Sequence, residues 1–209
     1  MNRLKIAVTK GRLLEDSLDL FEKMGLDCTA VRADTRKLIL PVENYPLDVV
    51  LSKAADVLTY VSHGVCDLGI VGKDTIMEHG GSFCEMLDLG YGKCRFALAV
   101  PEGSDFYGTY RSRVVASKYP GVTKSYFESK GMDVSVIKIE GSVELAPLVG
   151  LANGIVDIVQ TGTTLKENGL VPIETVAEVS ARLIVNTASM KLHREAVFDF
   201  IRRIEEVAP

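Results

Sequence analysis

Short β-branched and aliphatic runs alternate along the chain with longer amphipathic stretches, a pattern that predicts α/β layering around largely parallel strands. The first strand is expected at Leu4–Thr9. It runs into Lys10-Gly11-Arg12, and a helix over Glu15–Met24 follows, with Gly25 as its stop. Further strands are expected at Lys37–Leu40, Asp48–Leu51, Leu68–Val71, Phe96–Val100, Val114–Ala116, Val134–Ile139, Ile155–Val159 and Ala181–Asn186. The pattern predicts helices near Ala54–His63, Thr123–Lys130, Glu144–Ala152 and Lys191–Glu206. In the last of these, Leu192, Ala196, Val197, Phe200, Ile201 and Ile204 recur on one helical face.

The pattern also repeats. Gly64-Val65-Cys66-Asp67-Leu68 and Gly154-Ile155-Val156-Asp157-Ile158 share glycine, two apolar positions, aspartate and an apolar position, 90 residues apart. At the same offset Leu58 matches Leu148, Val61 matches Leu151 and Gly72 matches Gly162. Two readings fit. Any two parallel helix–strand units look alike; alternatively, two similar lobes face each other, with both glycine turns at strand ends where α/β ligands bind. The glycines of LDLGYGKCR suggest a boundary near Gly90–Gly92.

Composition narrows the function. The chain has 209 residues, 47 % of them apolar but only 7 % aromatic, so its core is aliphatic and one large domain or two small lobes fit. A net charge of −4 argues against a basic nucleic-acid-binding surface, so an anionic ligand must be held by a few local cations and backbone amides. No apolar run approaches the ~18 residues that span a bilayer, and the start MNRLKIAVTKGR turns polar too soon for a signal peptide. Cysteines at 28, 66, 84 and 94 and histidines at 63, 79 and 193 are scattered, against a zinc knuckle or a disulfide framework. The expectation is a cytoplasmic protein with reduced thiols.

The strongest local chemistry lies in Asp157-Ile158-Val159-Gln160-Thr161-Gly162-Thr163-Thr164-Leu165. An apolar strand ending in Thr-Gly-Thr-Thr offers successive N–H groups, a helix start and three hydroxyls, which suits a phosphate monoester. Asp157 inside that strand needs partners; two neighbouring ribose hydroxyls would serve. The plainer alternative is that Thr161 caps a helix and Asp157 bonds nearby backbone. No Walker lysine is present. Cations gather at Lys10 and Arg12, at Arg32, Arg36 and Lys37, and at Lys53. Lys10 and Lys53 each follow a strand end, where parallel topology brings them near one another, whereas Arg32 reads as a solvated surface residue. Ser142 reads as an N-cap with Glu144 in the first turn behind it, and no triad signature surrounds it.

Taken in order, TKGRLLEDS, RADTRKLILPVEN, CDLGIVGKD, KCRFALAVP, ASKYP and GSVELAPLVGLANGIVDIVQTGTTLKENGL resemble the ATP phosphoribosyltransferase family over nearly the whole chain. The resemblance implies an α/β fold of two lobes with mainly parallel mixed sheets, like type II periplasmic binding proteins, with the active site in the interlobe cleft. It places residues 1–90 plus 179–209 in a nucleotide-side lobe and residues 91–178 in a phosphoribosyl-pyrophosphate lobe. The chain ends after the Lys191–Glu206 helix, which implies the short form of the family. That form works as a homodimer within a hetero-oligomer, with a regulatory subunit related to histidyl-tRNA synthetase.

The implied reaction joins adenine of ATP to the anomeric carbon of phosphoribosyl pyrophosphate, the first step of histidine biosynthesis. By matching motifs, Thr161, Gly162, Thr163 and Thr164 would cradle the 5-phosphate, with Asp157 and Glu144 near the ribose hydroxyls. Arg12 and Arg36 would stabilise pyrophosphate. Lys10, Gly11 and Lys53 would serve the nucleotide phosphates and Asp74 the adenylyl part. Magnesium (Mg2+) is expected through the substrate phosphates, without protein ligands of its own. Two departures stand out: Asn153 where relatives often carry aspartate, and Lys53 where some carry arginine, which gives up bidentate phosphate geometry.

Overall fold

Ile6 and Val8 on the first strand, β1 (Leu4–Thr9), belong to one hydrophobic cluster and Ala7 to another, so β1 runs between two buried faces. Such a strand must lie inside a sheet with helices on both sides. In the computed structural model, which describes residues 3–33, 35–108 and 112–208, the chain forms two units. One is Met1–Gly92 with Ser180–Pro209; the other is Lys93–Val179. Asp34 of the RADTRKLILPVEN motif lies outside the described residues.

The first unit contains β1, α1 (Arg12–Lys23), α2 (Thr29–Arg32), β2 (Ile39–Val42), β3 (Leu47–Ser52), α3 (Ala54–Ser62), β4 (Leu68–Gly72), α4 (Lys73–His79) and β5 (Cys84–Asp88). The second contains β6 (Cys94–Pro101), β7 (Arg113–Ser117), α5 (Pro120–Ser129), β8 (Val134–Lys138), α6 (Leu145–Leu148), β9 (Gly154–Val159), α7 (Thr163–Glu167) and β10 (Leu170–Val179). The chain then returns to the first unit with β11 (Ala181–Val185), α8 (Ser189–Leu192) and α9 (Arg194–Val207).

The strand orders are β2-β3-β1-β4-β11-β5 and β10-β6-β9-β7-β8. Setting β2 aside, these are one pattern. A first strand (β1, β7) is flanked by two parallel strands (β3 and β4, β8 and β9). The second of these pairs antiparallel with β11 or β6, and each of those pairs antiparallel with an outer strand, β5 or β10. The repeat seen in the sequence is therefore a repeat of topology.

Helices cover the first sheet unequally. Leu18, Phe21, Phe200 and Ile204 of α1 and α9 pack over Ile6, Val8 and Leu183, and the Phe21 and Phe200 rings meet edge-on at 5.8 Å. On the other face α3 brings Val57, Leu58 and Val61 onto Ala7 and Ile184. In the second sheet, β6 presents Phe96, Leu98 and Val100 to the α5 side and only Ala97 and Ala99 to the other. Small side chains there let the short helices α6 and α7 sit close, with Ala146 and Leu165 buried against them. That alanine face carries the candidate site.

Several elements differ from the sequence expectation for identifiable reasons. The helix expected over Glu144–Ala152 is four residues long, because Gly150 at φ +74° ends it. Ser142 accepts the Leu145 N–H through its backbone carbonyl, and no side chain caps this helix. The helix expected from Lys191 is broken at His193; Val197, Phe200, Ile201 and Ile204 of α9 are buried, whereas Leu192 is 77 % exposed and lies off that face. The strands β5 and β10 were not anticipated. Both are outer strands, and β10 carries Pro172, Glu174 and Glu178 with two register shifts against β6, a composition that an edge tolerates. Among the described residues, no helix is long and apolar enough to cross a membrane.

Candidate active site

In β9 the alternation sets Ile155, Asp157 and Val159 on the alanine face, and Asp157 lies opposite Ala97 of β6. A carboxylate there is poorly hydrated. Burial pushes the Asp157 carboxyl above its ordinary range, the Ile158 N–H that it accepts at 2.8 Å opposes this, and Glu144 adds a further upward push. Beyond the strand, Gly162 takes φ +79° and starts α7, a left-handed conformation that disfavours any side chain. The Thr161 and Thr163 hydroxyls lie 3.1 Å apart, so they converge on one side of the turn. At the other end of α7, Asn168 bonds the Thr164 carbonyl through its amide at 2.8 Å.

These groups surround a pocket of about 330 Å³ lined by Glu144, Asp157, Gln160, Thr161, Gly162 and Thr164, floored by Val159 and Leu165. Its size suits a small ligand. Of the six residues expected to hold phosphoribosyl pyrophosphate, five line it; Thr163 does not, and reaches it only through Thr161. Gln160 also lines the pocket and was not anticipated, since an exposed glutamine after a strand carries no signal of its own. Asn153 sits elsewhere: its amide oxygen accepts the Val114 N–H at 2.8 Å and its own N–H donates to the Val114 carbonyl at 2.7 Å. It ties β9 to β7, so the departure from aspartate leaves the pocket lining unchanged.

The expected cationic residues lie at one edge of the first unit's sheet. β3, β1 and β4 are parallel neighbours, with Thr9 beside Ser52 and Val8 beside Ile70. Lys10, Gly11 and Arg12 follow β1, Lys53 follows β3, and Asp74 opens α4 after β4. The Lys10 N–H donates to the Ser52 carbonyl at 3.0 Å, which fixes these segments together. Arg36 precedes β2, whose first residue Ile39 pairs with Val50 near the same end of β3. A Cβ at Gly72 would lie 2.0 Å from the Asp74 carboxylate, so any side chain here would push Asp74 from its present rotamer. Arg32 is committed elsewhere, holding Glu15, Asp19 and Glu22 of α1 at 2.9, 2.5 and 2.7 Å.

A larger groove of about 790 Å³ lies in the first unit between the start of β1 and the α8–α9 corner, with Leu4, Pro46 and Leu192 on its walls. It contains none of the expected site residues and lies at the opposite strand ends, where α/β sheets do not bind their ligands. The smaller pocket gathers five of the six residues expected to hold phosphoribosyl pyrophosphate.

Two units of one strand order, each a mixed sheet between helices, define the type II periplasmic-binding-protein fold. The periplasmic aliphatic sulphonate binding protein SsuA of Escherichia coli shares that fold, with a TM-score of 0.61 over all of this chain and 73 % of that one at 13 % identity. Similarity in sequence is narrower. Residues 53–206 match the family model HisG, ATP phosphoribosyltransferase. An ATP phosphoribosyltransferase of Clostridium kluyveri is 53 % identical over 97 % of this chain and 93 % of its own length. The ATP phosphoribosyl transferase (HisG:HisZ) complex of Thermotoga maritima contains a chain with a TM-score of 0.83 and 34 % identity, covering 98 % of both. This chain belongs to the ATP phosphoribosyltransferase family.

Proposed function

We propose that the chain transfers the 5-phosphoribosyl group of phosphoribosyl pyrophosphate to the adenine ring of ATP, releasing pyrophosphate, with the roles set out below. The observation that carries the site assignment is the pocket in the second unit. A half-buried, poorly hydrated acid, a left-handed glycine and converging threonine hydroxyls together suit a phosphorylated sugar. Thr161, Gly162, Thr163 and Thr164 hold the 5-phosphate through hydroxyls and N–H groups, and Asp157 with Glu144 accepts the ribose hydroxyls.

An adenine ring nitrogen has a free lone pair at neutral pH, so no covalent nucleophile is needed. That pair forms the new bond to the anomeric carbon as the carbon–oxygen bond to pyrophosphate breaks, with inversion, and the leaving group carries away the bonding electrons. Charge builds on the departing diphosphate, so positioning and cations should dominate the rate. Arg12 and Arg36 neutralise that charge. Lys10, Gly11 and Lys53 hold the nucleotide phosphates, and Asp74 contacts the adenylyl part.

Among the described residues, no cluster of three or more His, Cys, Asp or Glu side chains offers a metal cage. The pocket's donor set of two carboxylates and several hydroxyls instead fits magnesium carried on the substrate's diphosphate, with Glu144 and Asp157 as nearby acceptors. There the ion would neutralise phosphate charge. The Thermotoga relative's HisG:HisZ assembly supports a HisZ-like partner for this chain, and a homodimer within such an assembly belongs to the same reading. A cytoplasmic location fits these soluble substrates.

Continuous ultraviolet detection of phosphoribosyl-ATP formed from ATP, phosphoribosyl pyrophosphate and magnesium tests the reading, with and without a HisZ-like subunit. Product is expected. Its absence under both conditions overturns the assignment.

A further inference from the structure

The pocket in the second unit has a charge problem. Its lining contains two carboxylates, Glu144 and Asp157, and neither lysine nor arginine, yet its ligand is a phosphorylated, diphosphate-bearing sugar. The backbone and hydroxyls at 161–164 suffice for a monoester. They leave the diphosphate without a cationic side chain in the pocket lining.

One lysine is placed to supply it. β7 runs parallel to β9 with Ala116 beside Ile155, and the buried Ser117 hydroxyl donates to the Val156 carbonyl at 2.6 Å, so the register holds to the end of β7. Continued one residue past the end of β7, that register sets Lys118 level with Asp157. Ala116 lies on the alanine face with Ile155 and Val159, and Lys118 sits at the bend just past the strand, close enough for its charge to act on Asp157. The Ile139 N–H donates to the Ser117 carbonyl at 3.0 Å, fixing the other flank. Lys118 is solvent-exposed. Its charge also acts on Asp157, drawing the carboxyl back down against burial and Glu144.

We propose that Lys118 is a substrate-binding residue of this pocket, its ammonium pairing with the diphosphate at C1 of the phosphoribosyl donor. The assignment rests on the phosphoribosyl reading above. The geometry selects the diphosphate over the 5-phosphate. The 161–164 turn already serves the 5-phosphate, so the cation level with Asp157 is left to the diphosphate at C1. Lys118 thus carries leaving-group charge within the second unit, and it offsets the carboxylates when the donor binds.

Calorimetric titration of the full chain with phosphoribosyl pyrophosphate, magnesium pyrophosphate and ribose 5-phosphate tests this, using wild type, Lys118→Ala, Lys118→Arg and Gly162→Ala. One lost charge-assisted contact should weaken the first two ligands roughly 10- to 100-fold in Lys118→Ala. Ribose 5-phosphate should bind that variant as it binds wild type, Lys118→Arg should restore most of the affinity, and the melting temperature should not move. Unchanged affinity for the diphosphate ligands overturns the proposal, as does a loss confined to ribose 5-phosphate. Gly162→Ala reads the parent assignment separately. If it binds ribose 5-phosphate normally, the phosphate turn is wrong whatever Lys118 does.

Discussion

Asp157→Asn keeps the shape of a side chain while removing its charge, and the surroundings of Asp157 make stability and function respond in opposite directions. The carboxyl lies on the alanine face of β9, with one hydrogen bond from the Ile158 N–H at 2.8 Å and the like charge of Glu144 nearby. Its folded-state pKa is raised above the ordinary 3.8, first by burial and then by Glu144. The folded protein thus binds this proton more tightly than the unfolded chain. Stability is greatest below the unfolded value and falls as pH rises through the folded value, leaving the ionised group a net cost at neutral pH. Asparagine removes that cost and can still accept the Ile158 N–H. The melting temperature at pH 7 should therefore hold or rise, and its decline between acidic and neutral pH should flatten. Function should fall. Two ribose hydroxyls lose an ionic acceptor and one retains an amide oxygen, a loss of about 1.5–3 kcal/mol, or roughly 10- to 150-fold in kcat/KM for the sugar donor. Calorimetry across pH and the ultraviolet assay measure both. A lower melting temperature with unchanged kcat/KM would make Asp157 a structural residue and refute the pocket.

Gly162→Ala should cost about 1–2 kcal/mol from backbone conformation alone, since the nearest neighbour of an added Cβ is Val159 Cγ1 at 3.8 Å, ordinary contact. Asparagine, which tolerates the left-handed region, should cost less; equal stability of the two variants in denaturant titrations contradicts this. Arg36→Ala should lower turnover more than it raises the Michaelis constants, because leaving-group charge peaks in the transition state. Steady-state kinetics with only a raised Michaelis constant reject the role. Asp67→Asn should destabilise by about 1–3 kcal/mol, because that carboxylate accepts both the Lys5 N–H at 2.8 Å and the Ser189 hydroxyl at 2.7 Å and asparagine can replace only one oxygen. A melting temperature equal to wild type would show those bonds to be dispensable.

The parallel strands were legible because burial on both faces writes itself as unbroken apolar runs: β1 has the expected bounds, and β4 and β9 each differ from expectation by one residue at one end. Edge strands carry no such signature. β5 mixes half-buried and exposed residues without a regular period, and β10 mixes proline and acids into its run, so neither stands apart from loop composition. At the pocket, Asp157 and the threonine turn were readable because a charge in an apolar strand and a glycine among hydroxyls are chemically odd. Lys118 was not readable as a site residue. A single exposed lysine after a short strand gains meaning only from the β7–β9 register, which depends on residues some forty positions away. Leu192 erred the other way: it matched the helical period, but the backbone breaks at His193 before that period applies.

The repeat shows why topology alone does not make a site. Asp67 and Asp157 hold matching sequence positions, and β4 and β9 hold matching places in their sheets. The strands are nevertheless displaced against the sequence repeat, since β4 begins at Leu68, after Asp67, whereas β9 begins at Gly154, ahead of Asp157. That displacement leaves Asp67 at the strand entry, where the Lys5 N–H and the Ser189 hydroxyl take up its two oxygens. It carries Asp157 along the strand toward the carboxyl end, where among the described residues only the Ile158 N–H bonds it and acceptor capacity remains for a ligand. The glycines diverge likewise. Gly72 is extended at φ −67° and crowded by Asp74, while Gly162 is left-handed and opens the pocket. A four-residue slip between two copies of one strand order thus commits one aspartate to the fold and leaves the other with acceptor capacity facing the pocket.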